Sequence, residues 1–414
     1  MSGGSEVRAD VVVVGGGPAG LTAAADLART HRVLVLDREQ QAGGIPRHSD
    51  HPGYGMRDLR RVLSGPEYAR RLVAAAQDAG ADIRTGWTAT GWAGERSLEV
   101  TSPEGRLTVT GGAVVLATGA RERPRTARLV AGDRPAGVLT TGQLQQLVHL
   151  QHRSPGTRAV VVGSELVSWS AVLTLREAGC RPVLMTTERP YGESYAAFRV
   201  PASAGLRVPV LPRARVARVV GRDRVEAVEF VEVGTGRRRT VECDVVVFTA
   251  DWIPDHELVR LGGLDLDPAT LGPRVDAALR TSADGVLAAG NVVHPVDTAD
   301  VCALDGRHVA GSVRRWLESP GPAAPGVQLV ADDPLRWVAP SVWRPGEPGP
   351  ARGRLLAWTD ERVLAPVVVA VQDGRRVGRV RLAWPAVPGR VLRLPSSLVS
   401  GVRADGGPVR IALG

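Results

Sequence analysis

The sequence predicts an α/β chain: two Rossmann-like βαβ units and a later return to a buried, glycine-ended strand, followed by a small, mostly β domain. Three observations predict it. The valine run Val11–Val14 stops at Gly15, Gly17 and Gly20 and passes at once into an Ala-rich helical stretch. A second run, Ala159–Val162, ends in Gly163 and repeats that layout, and a later one, Gly285–Ala289, returns to a glycine at Gly290. Beyond residue 327 the alternation gives way to short Val/Leu/Arg segments broken by Gly and Pro.

The first element carries chemistry. Gly15 makes the tight turn, Gly17 lets backbone N–H groups approach a ligand, and Gly20 lets helix and strand pack closely. With Pro18 and Ala19 between them, these residues present a helix N-terminus to a pyrophosphate. The next apolar run, Val33–Leu36, ends in Asp37 and Arg38, and Asp37 lies where a carboxylate accepts ribose hydroxyls. A plain parallel strand pair with a glycine turn is the blander alternative; spacing and context together disfavour it. Both dinucleotide units are therefore Rossmann-like.

Composition excludes several classes. Hydrophobic residues at 43% and charged residues at 23% are ordinary for a globular chain, so disorder is not expected. All 52 basic residues are Arg, and the absence of Lys excludes Schiff-base chemistry and a P-loop. The net charge of +9 is spread along the chain, and the longest basic run is Arg237–Arg239, so no nucleic-acid partner is expected. No run of eighteen apolar residues predicts a membrane span. The first ten residues lack a cationic start and an apolar core, so no signal peptide is expected and a cytoplasmic location is. Cys180, Cys243 and Cys302 are too far apart for a CxxC dithiol or a local iron–sulfur motif.

Along the chain the expected segments are 1–125, 126–246 and 247–319, with the β domain at 327–414. Residues 320–326, PGPAAPG, read as a linker. Helices are expected over Ala69–Gly80, through Arg176 and over Asp300–Leu317. Strands are expected near Ile83, between Leu98 and Val109, over Ala113–Ala120 and at Pro182–Met185. Hairpin strands are expected over Arg215–Val233 and Arg239–Phe248, and C-terminal strands at Val363–Gln372, Arg376–Leu382 and Val391–Leu394. Tryptophans of the β domain are expected in its core or an interface.

GGGPAG, VVLATGA and GVLAAGN, in this order, resemble the two-dinucleotide-domain flavoproteins, the pyridine nucleotide-disulfide oxidoreductase-like family typified by thioredoxin reductase. The redox dithiol is missing. Within that family, the segments starting at Ala42 and Ala288 are similar to the FAD subunits of opine oxidase and hydrogen cyanide synthase. The resemblance runs from about Val11 to Leu317. It implies that 1–125 and 247–319 form one FAD-binding domain, split by an inserted NAD(P)-type domain at 126–246, and an FAD-dependent oxidoreductase. It places Gly15, Gly17, Pro18, Ala19, Gly20, Asp37 and Arg38 on the ADP half of FAD. Gly43, Gly44, Ile45 and Pro46 would line the flavin side, Thr118 and Gly119 the pyrophosphate or ribityl, and Gly290 and Asn291 the ribityl and pyrophosphate. Asn291 stands where many relatives carry Asp, and it has a second reading as a helix cap.

The inserted domain departs from the pattern. Glu165 and Ser168 replace the second and third glycines of its fingerprint. A carboxylate beside a pyrophosphate costs about 1–4 kcal/mol for a pair 4 Å apart. NAD(P) therefore remains a disfavoured second cofactor.

Catalytic candidates follow the flavin motifs: Arg47, His48 and Tyr54 after the GGIP loop, and His294 after Asn291. Histidine suits proton transfer near neutrality, and arginine suits a substrate carboxylate. Each has a structural alternative: Arg47 and His48 as phosphate or loop partners, His294 as a turn residue, and Asp297 and Asp300 as helix caps. No metal ligation is expected from His48 and His51. Three functions stand at this point. One is part of a dehydrogenase or oxidase complex that oxidises an amine, amino acid or related small polar substrate. The others are an NAD(P)H-dependent reductase and a non-catalytic, FAD-bound component of a complex. The resemblance also implies, as possible partners, a second flavoprotein or an iron–sulfur protein.

Overall fold

The computed structural model describes residues 5–194 and 205–413. The signal-peptide expectation rests partly on residues 1–4, which lie outside them. The chain forms two compact units: Met1–Arg47, Gly53–Ala120 and Ile253–Gly414 make the first, His48–Pro52 and Arg121–Trp252 the second.

The first unit is built on β1 (Ser5–Val14), α1 (Pro18–Leu27), β2 (Val33–Asp37), α2 (Gly65–Asp78), β3 (Asp82–Thr85), β4 (Thr88–Gly94), β5 (Ser97–Ser102) and β6 (Gly105–Leu116). The strand order is β3-β2-β1-β6-β5-β4. β1 is central, with β2 and β6 parallel on either side, in register Val11↔Val33 and Val11↔Ala113. Burial on both faces explains its unbroken valine run. On the edge away from β1, β6 serves two neighbours: its early residues pair antiparallel with β5, while Val114–Leu116 pair parallel with β15 (Val286–Ala288). The sequence suggests two separate pieces here because Gly111 and Gly112 interrupt the apolar pattern. The strand nevertheless runs through them, and a Cβ at Gly112 would lie 2.9 Å from Asp10 O. α2 starts four residues earlier than expected, because Ser64 Oγ accepts from Glu67 N at 3.4 Å and Pro66 suits the first turn.

The second unit holds a five-stranded parallel sheet. β7 (Val138–Thr140), α3 (Thr141–Gln145), β8 (Arg158–Val162), α4 (Leu166–Glu177), β9 (Arg181–Thr186) and β10 (Val210–Leu211) lead to an antiparallel run of β11 (Ala214–Val220), β12 (Ala227–Glu232) and β13 (Arg238–Glu242). β14 (Val245–Phe248) corrects the hairpin expectation. It leaves the meander and lies between β7 and β8 as a fully buried parallel strand. Four apolar residues in a row suit that place and not a half-exposed hairpin.

The first unit resumes with β15 and α5 (Ala299–Glu318). α5 lies on α1 so closely that a Cβ at Gly306 would fall 2.1 Å from Ala19 O. Residues 327–413 add a five-stranded and a three-stranded sheet to this unit. Trp337 and Trp343 are buried there, whereas Trp384 is exposed. Arginines of this segment reach back to acids of the preceding one: Arg344 Nε donates to Asp276 Oδ2 at 2.8 Å, and Arg352 Nη2 to Asp305 Oδ1 at 3.1 Å. No helix among the described residues is long and apolar enough to cross a membrane.

Candidate functional site

The glycine fingerprint forms a cradle at the carboxyl ends of the parallel strands of the first unit. Gly15 has φ +111°, and a Cβ there would lie 2.3 Å from Ala117 O. A Cβ on Gly20 would lie 2.0 Å from Gly15 O. Gly17 differs, since a Cβ there would meet nothing within 4 Å. It is the N-cap of α1 and lends the helix no capping side chain, so the first-turn N–H groups face open space. Asp37 is buried. Its Oδ2 accepts from Gly16 N at 3.0 Å and its Oδ1 from Glu39 N at 2.8 Å, which joins the end of β2 to the fingerprint turn. Burial raises its carboxyl above the ordinary range.

Three further segments converge on this turn. Gly43 N donates to Gly16 O at 2.7 Å, and a Cβ on Gly44 would sit 3.0 Å from Gly17 Cα. Ile45 and Pro46 open a short 3-10 turn, with Ile45 exposed. After β6, Thr118 Oγ1 donates to Asp255 O at 2.7 Å, while Gly119 adopts φ +77° beside free space. Arg38 Nη2 donates to Asp255 Oδ2 at 3.2 Å. Gly290, φ +75°, is held so near α1 that a Cβ would fall 2.9 Å from that of Ala19. An uncapped helix start, open space at Gly17 and Gly119 and a buried acid at Asp37 fit the ADP half of FAD.

Asn291 braces the turn that follows it. Its Nδ2 donates to Asp297 O at 3.2 Å and its Oδ1 accepts from Asp297 N at 2.9 Å, so both ends of the amide span one turn. Arg393 clamps the same turn from the C-terminal segment, donating to Asp297 Oδ2 at 3.0 Å and Oδ1 at 3.3 Å. Arg393→Met is expected to lower the unfolding free energy by about 1–3 kcal/mol, because it strips a buried carboxylate of a charged donor. Urea denaturation measures this, and an unchanged midpoint would mean that the Asn291 amide holds the turn alone.

Arg47, Tyr54 and His294 belong to the first unit and His48 to the second. Arg47 is largely buried, with Nη1 donating to Gln41 O at 2.5 Å and Nη2 3.8 Å from Glu39 Oε2. The guanidinium is thus engaged by its own loop, the structural alternative read from the sequence. Tyr54 lies with its ring centroid 5.9 Å from that of Tyr68, and Tyr68 donates to Asp58 Oδ2 at 2.7 Å. His48 is buried in the second unit.

His294, the remaining candidate, lies in the first unit. It is buried and stacks on Trp337 at 5.2 Å between centroids, and its Nδ1 has no hydrogen-bond partner among the described residues. Burial pushes its pKa down to about 4, which makes it a weak base. It lines a cavity of about 30 Å³ with Val293, Asp305, Pro340, Arg352 and Leu356, room for about one or two waters. Burial also pushes Asp305 up to about 7, outweighing the attraction of Arg352. No local sequence signal identifies Asp305, Arg352 or Trp337, since they come from segments far apart in the chain. Asp300, a helix cap in its alternative reading, lies instead in the first turn of α5, whose N-cap is Thr298; it accepts from Val301 N at 3.0 Å and from Arg57 at 3.1 Å.

In the second unit, the fingerprint turn after β8 holds one of the chain's own carboxylates. Ser164 Oγ donates to Glu193 Oε2 at 3.0 Å and accepts from Glu193 N at 3.1 Å. Thr187 Oγ1 and Arg189 Nε donate to the same carboxylate, each at 3.0 Å. Ser168 Oγ lies 2.7 Å from Thr249 Oγ1, and a Cβ at Gly163 would fall 2.0 Å from that hydroxyl. Glu165 caps α4 with its backbone alone. Burial, reinforced by Glu193, pushes its carboxyl up to about 8, so it is largely neutral at pH 7 and repels a phosphate less than its residue type suggests.

All three cysteines are free and buried. Burial pushes the Cys180 and Cys243 thiols up to about 12 and raises that of Cys302, so none is poised for dithiol exchange.

Comparison with known proteins agrees with this geometry. The A subunit of opine oxidase from Agrobacterium tumefaciens (strain Ach5) is 27% identical over 339 residues, which make up 73% of this chain and 63% of that protein. The alpha subunit of sarcosine oxidase from Rhizobium meliloti (strain 1021) is 26% identical over 89% of this chain and 36% of that protein. The chain thus spans less than two thirds of the length of either. Thioredoxin reductase of T. acidophilum, a solved structure, shares the fold with a TM-score of 0.65 at 23% identity, covering 75% of this chain and 99% of that one. Residues 9–307 match the family described as pyridine nucleotide-disulphide oxidoreductase, in which FAD is the bound cofactor. This protein therefore belongs to that family of FAD-dependent oxidoreductases, without the reactive cysteine pair from which the family takes part of its name.

Proposed function

We propose that this chain is the FAD-bearing subunit of a dehydrogenase or oxidase that oxidises an amine, amino acid or related small polar compound. Flavin supplies a two-electron acceptor for such a substrate. The observation that carries the reading is Glu193, an internal anion bonded at Ser164 in the turn where an NAD(P)H pyrophosphate would seat. An anion already held there competes with a phosphate, so electrons reach the flavin from a substrate other than a nicotinamide. Buried, un-ionised thiols argue in the same direction, against a disulfide as the onward acceptor. Relatives named as oxidase subunits support a partner chain or oxygen in that role.

Within the first unit, Gly17, Asp37 and Gly119 would hold FAD, while Arg38 and Asp255 brace the adjoining loop. Anaerobic mixing with a panel of amines, amino acids and hydroxy acids should bleach the flavin band, whereas NADH and NADPH should not. Rapid bleaching by either nicotinamide would overturn the proposal in favour of a reductase. One feature favours that second reading: burial raises the Glu165 carboxyl, which removes part of the expected repulsion.

A further inference from the structure

We propose that Asp50, His149 and Glu177, all in the second unit, form a binding site for a divalent transition ion such as zinc. Asp50 Oδ2 lies 3.5 Å from His149 Nδ1, and Glu177 Oε1 lies 3.9 Å from the same nitrogen. All three donor atoms fall within 4.8 Å of one another. Ligands on a tetrahedral ion with bonds of about 2.1 Å stand roughly 3.4 Å apart, so closure needs only small side-chain movements.

The site is supported from behind. α3 continues into one π-helical turn, Gln146–Leu150, which carries His149. The imidazole is 5% exposed, whereas the carboxylates of Asp50 and Glu177 are 40% and 58% exposed and face solvent, from which an ion can enter. His149 Nε2 lies 3.3 Å from Thr174 Oγ1. A histidine ligand usually has its second ring nitrogen fixed by such a neighbour, which turns the other toward the metal.

One helical turn earlier, a neutral rung aligns the same three segments. Gln145 Nε2 donates to Ser49 Oγ at 3.2 Å and to Ser170 Oγ at 2.8 Å. Gln145 and His149 are four apart on one helix, Ser170 and Thr174 four apart on α4, and Ser49 precedes Asp50. The lower rung sets the register, and the upper one brings together one nitrogen and two carboxylate donors. That set suits zinc, cobalt or nickel rather than a soft thiolate-seeking ion. An ion there ties residues 48–52 to α3 and α4.

The rival arrangement is a histidine simply hydrogen-bonded between two carboxylates, which gains nothing from added metal. Calorimetric titration of EDTA-treated, full-length protein with zinc chloride separates the two. The proposal expects one equivalent bound at tens of micromolar or tighter, weakened at least tenfold in Glu177→Gln and lost in His149→Ala. Cobalt should give visible d–d bands with no sulfur charge-transfer band. Glu177 is exposed, so its variant should keep the wild-type urea midpoint and decides the matter even where His149→Ala fails to fold. Absence of binding in the wild type, or equal binding in wild type and Glu177→Gln, overturns the proposal.

Discussion

Gly17→Asp is expected to give a folded protein that no longer holds FAD on gel filtration. The backbone at Gly17 has φ −87° and ψ −175°, which any residue adopts, and a Cβ there meets nothing within 4 Å. The substitution therefore leaves the fold intact. Its carboxylate would stand at the uncapped start of α1, where the phosphate charge is to be received. Repulsion of about 1–4 kcal/mol per charge pair weakens binding on the order of ten- to a thousandfold. Gly17→Ala is the control and should retain the apoprotein melting temperature. Gly20→Ala should behave in the opposite way: its Cβ would lie 2.0 Å from Gly15 O, so it loses stability before it loses ligand. FAD fluorescence titration and apoprotein melting together read these outcomes. Wild-type FAD affinity in Gly17→Asp would show that the phosphates lie elsewhere.

The second large effect is a pH dependence that the wild type conceals. In the unfolded chain His294 takes up its proton below its ordinary pKa of 6.5, but in the fold only below about 4. Its contribution to stability is therefore lost as pH falls from 6.5 to 4, at about 1.4 kcal/mol per unit and roughly 3 kcal/mol in all. Asp305 works in the other direction. Unfolded, it releases its proton above 3.8; folded, only above about 7, so its contribution is lost as pH rises between those values. Between pH 4 and 6.5 the two slopes oppose each other and nearly cancel. Arg352, Arg393 and Asp297 face the same groups and are common to every variant. His294→Phe keeps an aromatic ring against Trp337 and should make stability fall as pH rises from 4 toward 7. Asp305→Asn should make it rise from 4 to 6.5. Urea unfolding at several pH values tests this, and parallel profiles for wild type and both variants would refute the coupling.

The dinucleotide cradle was legible because its parts are consecutive. Val11–Val14, the spaced glycines and Asp37 each act on near neighbours, and chain geometry alone brings a strand end, a tight turn and a helix start together. The same holds for β8 with α4 and for the helix at 299–318, whose patterns are local. The failures have one physical source. β6 passes through Gly111–Gly112 because β1 presses on those residues, and β14 joins the parallel sheet because β7 and β8 flank it there.

The candidate chemistry divides along the same line. Local sequence marked His294, Asn291 and Glu165 by residue type and position; burial and distant partners decided their charge and their bonds. Arg393 reaches Asp297, Glu193 occupies the turn at Ser164, and His149 meets Asp50 across ninety-nine positions of sequence. Periodicity constrains a residue's neighbours within a turn or a strand. The environment of a buried ionisable group is set by whichever segments pack over it, and only the folded chain determines those.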